Sequence, residues 1–130
     1  METETIGKQK PGLIFCVCTG KCPGFAKMDM WDFINKVRLQ LPVEYAFIHP
    51  QLCEVDGDRF FSEHLKAGRK YVIAGCAPNM QCKLFKDAFT KAGLDVNRDL
   101  ISLDVRNMTT QEAFDAVKKK LEEAGFKADE

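Results

Sequence analysis

The sequence predicts an α/β fold: an open parallel four-stranded sheet with helices on both faces. Two observations predict it. Apolar runs of strand length alternate with segments whose apolar residues recur at helical spacing, in the order β-α-β-α-β-α-β-α. Strict alternation of this kind implies a parallel sheet covered on both sides. The runs themselves show little polar alternation, as expected of strands buried on both faces.

The elements follow in order. Residues 1–12 read as a polar tail ending in Pro11 and Gly12, and residues 13–18 as the first strand. A Gly- and Pro-rich loop over 19–27 leads into a helix over 29–41, where Met30, Phe33, Ile34, Val37 and Leu41 share a face and Pro42 ends it. The second strand spans 44–49 and stops at Pro50. Asp56 and Asp58 around Gly57 read as a turn or helix start, followed by a short helix with Phe60, Phe61, His64 and Leu65. Residues 70–75 are the third strand, and Pro78 suits the first turn of the next helix. That helix presents Leu84, Phe85, Ala88, Phe89 and Ala92, and Gly93 caps it. Residues 100–105 form the fourth strand. Thr109 and Glu112 form a capping box for a last helix burying Ala113, Phe114, Val117, Leu121 and Ala124. One domain over 13–125 results, with a tail over 126–130. Right-handed crossovers limit the topologies, and the expected strand order is 2-1-3-4, a Rossmann/flavodoxin-like arrangement.

At 130 residues and 45% hydrophobic content, the chain is long enough to bury one core. A formal net charge of zero points away from nucleic-acid and membrane surfaces. Lys118, Lys119 and Lys120 read as a solvated helix face. No segment has the apolar length to span a bilayer, and the acidic, polar start lacks a signal peptide's features. A cytoplasmic protein is expected, in which disulfides are rare. No phosphate-binding glycine motif is present and no carboxylate pair stands out.

The six cysteines carry the chemistry. Cys16 and Cys18 close the first strand, Cys53 follows the second and Cys76 follows the third. In an open parallel sheet the carboxyl ends of the strands share one edge, where ligands bind, so these thiols are expected to converge. Period-two alternation would place Cys16 and Cys18 on one side of their strand. Converging thiolates hold zinc or iron–sulfur clusters, and helix N-termini after Cys76 and after Lys27 would favour the negative charge. Cys22 and Cys82 are extra thiols, either bystanders or additional ligands. His49 and His64 read as structural, and Met28, Met30 and Met80 as core filler. Trp31 is expected on a helix face or over a partner surface.

The motifs Phe15-Cys16-Val17-Cys18-Thr19-Gly20, Leu52-Cys53-Glu54 and Ala74-Gly75-Cys76-Ala77-Pro78-Asn79-Met80 resemble the N-terminal iron–sulfur domain of the flavin-bearing polypeptide of heterodisulfide reductase and related proteins. The resemblance runs from Leu13 to Ala124 and is specific mainly at Cys76-Ala77-Pro78-Asn79-Met80. It implies a [4Fe–4S] cluster ligated by Cys16, Cys18, Cys53 and Cys76. It also implies an electron-relay role beside a flavoprotein or iron–sulfur redox subunit. The sequence differs from that family in Thr19 before Gly20 and in Cys22 and Cys82, and it stops where the family's flavin domain would begin.

Three other readings remain open from the residues alone. A thiol redox enzyme or sensor would use Cys18, Cys22 or Cys76, with a thiol of lowered pKa as nucleophile. A zinc-binding structural module would use the same donors without sulfide. A carrier would accept and pass on a cluster. A non-catalytic electron carrier or a subunit of a redox complex is expected rather than an enzyme.

Overall fold

The computed structural model describes residues 10–20 and 22–126; most of the predicted N-terminal tail and residues 127–130 lie outside them. Four parallel strands pair in the order β2-β1-β3-β4, as the alternation of elements predicts. They are β1 (Gly12–Cys16), β2 (Tyr45–His49), β3 (Tyr71–Gly75) and β4 (Leu100–Asp104). The helices are α1 (Met30–Gln40), α2 (Val55–His64), α3 (Pro78–Lys91), α4 (Val96–Asp99) and α5 (Thr110–Glu123).

Alternation along each strand divides the core into two layers. Leu13, Phe15, Val72, Ala74 and Leu103 face one side and pack with Phe33, Ile34 and Val37 of α1 and Phe114, Val117 and Leu121 of α5. Ile14, Tyr71, Ile73 and Leu100 face the other side and pack with Phe61 of α2 and Phe85 and Phe89 of α3. The chain moves one way across the sheet from β1 to β2 and the opposite way from β2 through β3 to β4. With right-handed crossovers, that reversal puts α1 on one face and α2 and α3 on the other. The point of reversal, between β1 and β3, is the switch-point crevice.

Local chemistry sets the ends of these elements. Asp29 caps α1 by accepting from the Asp32 N–H at 3.0 Å. Thr109 and Glu112 form the reciprocal capping box at α5. Lys118, Lys119 and Lys120 are solvent-exposed.

Several expectations are corrected. β1 leaves the sheet at Cys16, not Cys18, because Cys18 (φ 52°), Thr19 (φ 65°) and Gly20 (φ 80°) turn through the left-handed region. Two short 3-10 turns, Cys18–Gly20 and Pro23–Phe25, fill the loop that follows. Helix α2 starts at Val55 and includes Gly57 in its first turn. There a Cβ would lie 2.0 Å from the Leu52 carbonyl oxygen, so glycine lets α2 seat against the preceding loop. Helix α4 has no counterpart among the elements expected from the sequence. The buried stripe of α3 is Gln81, Phe85 and Phe89, while Leu84 is exposed. Met80 is exposed rather than core filler, whereas Trp31 is exposed on α1, where a helix-face position was expected. Phe126 is buried against the α1–α5 layer, so the domain extends past residue 125.

Candidate functional site

Three strand ends deliver thiols to the carboxyl edge. Cys16 is the last residue of β1, Cys76 directly follows β3, and Cys53 lies in the turn between β2 and α2. The β1–α1 connection adds Cys18 and Cys22. These five cysteines line one cavity of about 90 Å3, several times the ~10–15 Å3 that a single water requires. Phe25, Leu84 and Phe85 supply an apolar wall, and Arg106 brings a positive charge.

Cys18 reaches this cavity by a different route from the one predicted. Strand alternation does not place it; the left-handed turn does. The turn is tied down by Val17 N–H to His49 O (3.1 Å), Thr19 N–H to Pro50 O (2.6 Å) and Gly20 N–H to Val17 O (2.9 Å). Two consecutive non-glycine residues in the left-handed region cost roughly 1–3 kcal/mol each, which makes this turn the most strained backbone of the site. Cys18 and Cys53 are exposed, whereas Cys16, Cys22 and Cys76 are half-buried.

Two of the half-buried sulfurs are met by backbone donors. Cys16 Sγ accepts from the Leu52 N–H at 3.3 Å. Cys22 Sγ accepts from the Gly24 N–H at 3.4 Å. Each of these bonds favours a thiolate or a metal-bound sulfur. Burial pushes the Cys16 thiol up, against the Leu52 and Cys18 N–H groups; Cys76 and Cys53 add to the upward push. Burial also pushes Cys76 up, against its own N–H and Arg106. A thiol enzyme needs a depressed nucleophile; Cys76 is shifted the other way.

Residues that the sequence did not single out complete the site. Asp104, at the end of β4, grips Arg106 with two bonds, Nε to Oδ1 at 3.0 Å and Nη2 to Oδ2 at 2.8 Å. Arg106 in turn holds the Asp104 carboxyl below its usual range. The Arg106 stem lies against Gly24, where a Cβ would come within 2.9 Å of it, and the Asn107 N–H donates to Gly24 O. The loop carrying Cys22 is therefore clamped to the end of β4. Gln81, fully buried, donates its side-chain amide to Cys76 O at 2.8 Å and to Leu103 O at 3.4 Å. It fixes the ends of β3 and β4 together. The signal for Gln81 was its place on the same helical stripe as Phe85 and Phe89; Asp104-x-Arg106 carried none.

The other candidates fall elsewhere. Cys82 does not line the cavity and packs against the α2–α3 layer. His49 Nδ1 accepts from the Gln51 N–H at 3.0 Å and its ring lies beside Phe60, a structural role. His64 bonds Tyr45 Oη and stacks on Phe60. The N-terminus of α1 is capped by Asp29. The start of α3 has no side-chain cap.

Among the described residues, no group of three or more His, Cys, Asp or Glu side chains is arranged to hold a metal ion. Zinc held at Zn–S distances of about 2.3 Å needs sulfurs in near contact. A polynuclear iron–sulfur core carries its thiolates on its periphery and needs them farther apart. Five soft donors line one cavity, and backbone N–H groups reach two of their sulfurs. No protein-family model matches the chain, and no curated protein matches its sequence. Among the described residues no helix is long and apolar enough to cross a membrane.

Proposed function

We propose that this chain is an iron–sulfur electron-transfer module, with a [4Fe–4S] cluster held by Cys16, Cys18, Cys53 and Cys76. The observation that carries the reading is the convergence of cysteines from three separate connections on one cavity at the switch point. The motif resemblance to the N-terminal iron–sulfur domain of heterodisulfide reductase points the same way. When bound, such a cluster supplies a one-electron couple whose potential follows hydrogen bonding, burial and nearby charge.

The chain's own residues supply those three controls. Leu52 gives an N–H bond to the Cys16 sulfur. Phe25 and Phe85 keep water from one side of the cavity. Arg106, oriented by Asp104, offsets negative charge at Cys76. In this reading the chain turns over no substrate alone. It relays electrons to a flavoprotein or an iron–sulfur partner in the cytoplasm, where thiols stay reduced.

The test is anaerobic purification with iron, acid-labile sulfide and zinc analysis. The expected result is a brown protein with iron and sulfide in equal amounts. A colourless protein after anaerobic reconstitution, or one holding zinc without sulfide, rejects the reading.

A further inference from the structure

Five thiols line the cavity, and a cubane needs four. The surplus sulfur is not loosely placed. Cys22 is half-buried, and its Sγ is bonded by the Gly24 N–H. Its loop is clamped by Gly24 against Arg106 and by the Asn107 N–H. Phe25, three residues on, is buried edge-on to Phe15 at 5.3 Å. Cys18, on the same β1–α1 connection, has the opposite character: exposed, and held in the left-handed region.

Resting on the cluster reading above, we propose that Cys22 is a ligand-competent fifth thiol that replaces Cys18, so that one coordination position exchanges between two sulfurs of one connection. In such an exchange the Cys22 thiol would give its proton to solvent and its sulfur would take the ligand position that Cys18 leaves as a thiolate, and the freed Cys18 thiolate would take up a proton. No electron moves, and the other three ligands stay in place. The three that stay are those held by other elements: Cys16 by the strand ladder, Cys76 by Gln81, and Cys53 by its neighbour Leu52, which is buried and seated against Gly57 of α2. An exchangeable position at the exposed edge opens one iron to an incoming ligand without emptying the site.

The test uses the full chain, loaded anaerobically, as wild type, Cys18→Ala, Cys22→Ala and the double variant, alanine having no side-chain atom that binds iron. Iron and sulfide are measured per chain, and Cys22 alkylation by iodoacetamide is mapped by mass spectrometry. Each single variant is expected to retain more than about half of the wild-type iron and sulfide, and the double variant less than about a tenth. In loaded Cys18→Ala, Cys22 should become protected from alkylation relative to the metal-free protein. Loss of the cluster in either single variant overturns the proposal, as does a loaded Cys18→Ala protein whose Cys22 alkylates freely. Both outcomes leave the cluster reading standing if the wild type is loaded. A wild type without iron and sulfide rejects the reading and the proposal together.

Discussion

Arg106 and Gln81 show how single side chains organise this edge of the sheet. Arg106 is charged, gripped by Asp104 and placed against Cys76 and Cys22. A positive charge beside a cluster stabilises its reduced, more negative state. Arg106→Gln is therefore expected to lower the midpoint potential by something on the order of tens of millivolts in an anaerobic redox titration; an unchanged or raised potential contradicts the role. Gln81 is a different case, because its Oε1 is already buried without a hydrogen-bond partner among the described residues. An apolar replacement loses the bonds to Cys76 O and Leu103 O but also removes that unpaired oxygen, so the two effects offset. Gln81→Glu keeps the shape and places a buried carboxylate against two carbonyls. It should cost about 3 kcal/mol or more in denaturant unfolding; a cost under about 1 kcal/mol shows that the amide donor does not hold the strand ends.

At the scale of elements, α2 fixes the Cys53 loop from one side and the β2 edge from the other. Gly57 meets the Leu52 carbonyl, a backbone atom that cannot swing aside. Gly57→Ala is expected to destabilise by about 2 kcal/mol and to weaken cluster retention, because Cys53 is the next residue after Leu52. Full stability in a denaturant titration contradicts that packing. At the far end of α2, His64 bonds Tyr45 Oη and lies between Phe60 and Tyr71. Burial, then Lys66 and Arg69, hold its pKa below the ordinary value. The unfolded chain therefore binds the proton first as pH falls through about 6.5, so this contribution is complete above that pH and is lost below it. The unfolding midpoint should fall between about pH 7.5 and 5.5, and fall less in His64→Phe. Equal falls in both proteins contradict the assignment. The elements most legible in the sequence were those with their own signals, such as the capping box at Thr109 and the apolar run of β3. The end of β1 was illegible because Val17 and Cys18 continue an apolar run, while the turn depends on backbone bonds to His49 and Pro50. Those partners lie on a different connection, so no local pattern announces them.

Across the whole molecule, the alternation of elements was enough to read a parallel sheet, handedness narrowed its strand order to the expected 2-1-3-4, and that order brings the cysteines to one edge. Handedness and the reversal between β1 and β3 do that work. What the order could not give was which side chains meet at that edge. Cys22 joins the cavity and Cys82 does not, because residues 22–25 fold back onto Arg106 whereas Cys82 lies on α3, packed against the α2–α3 layer. The C-terminal limit also eluded local reading: Gly125 ends α5, yet Phe126 returns to the core. Phe126→Ala should cost about 3 kcal/mol in denaturant unfolding, and a neutral result would mark that contact as dispensable.

The proposed function requires sulfurs from separate strand ends around one inorganic core. Iron K-edge X-ray absorption on the anaerobically loaded wild-type chain reads that arrangement. A first coordination sphere of sulfur alone, with iron–iron scattering beyond it, is the expected result. Nitrogen or oxygen ligands on isolated iron, without an iron neighbour, contradict it.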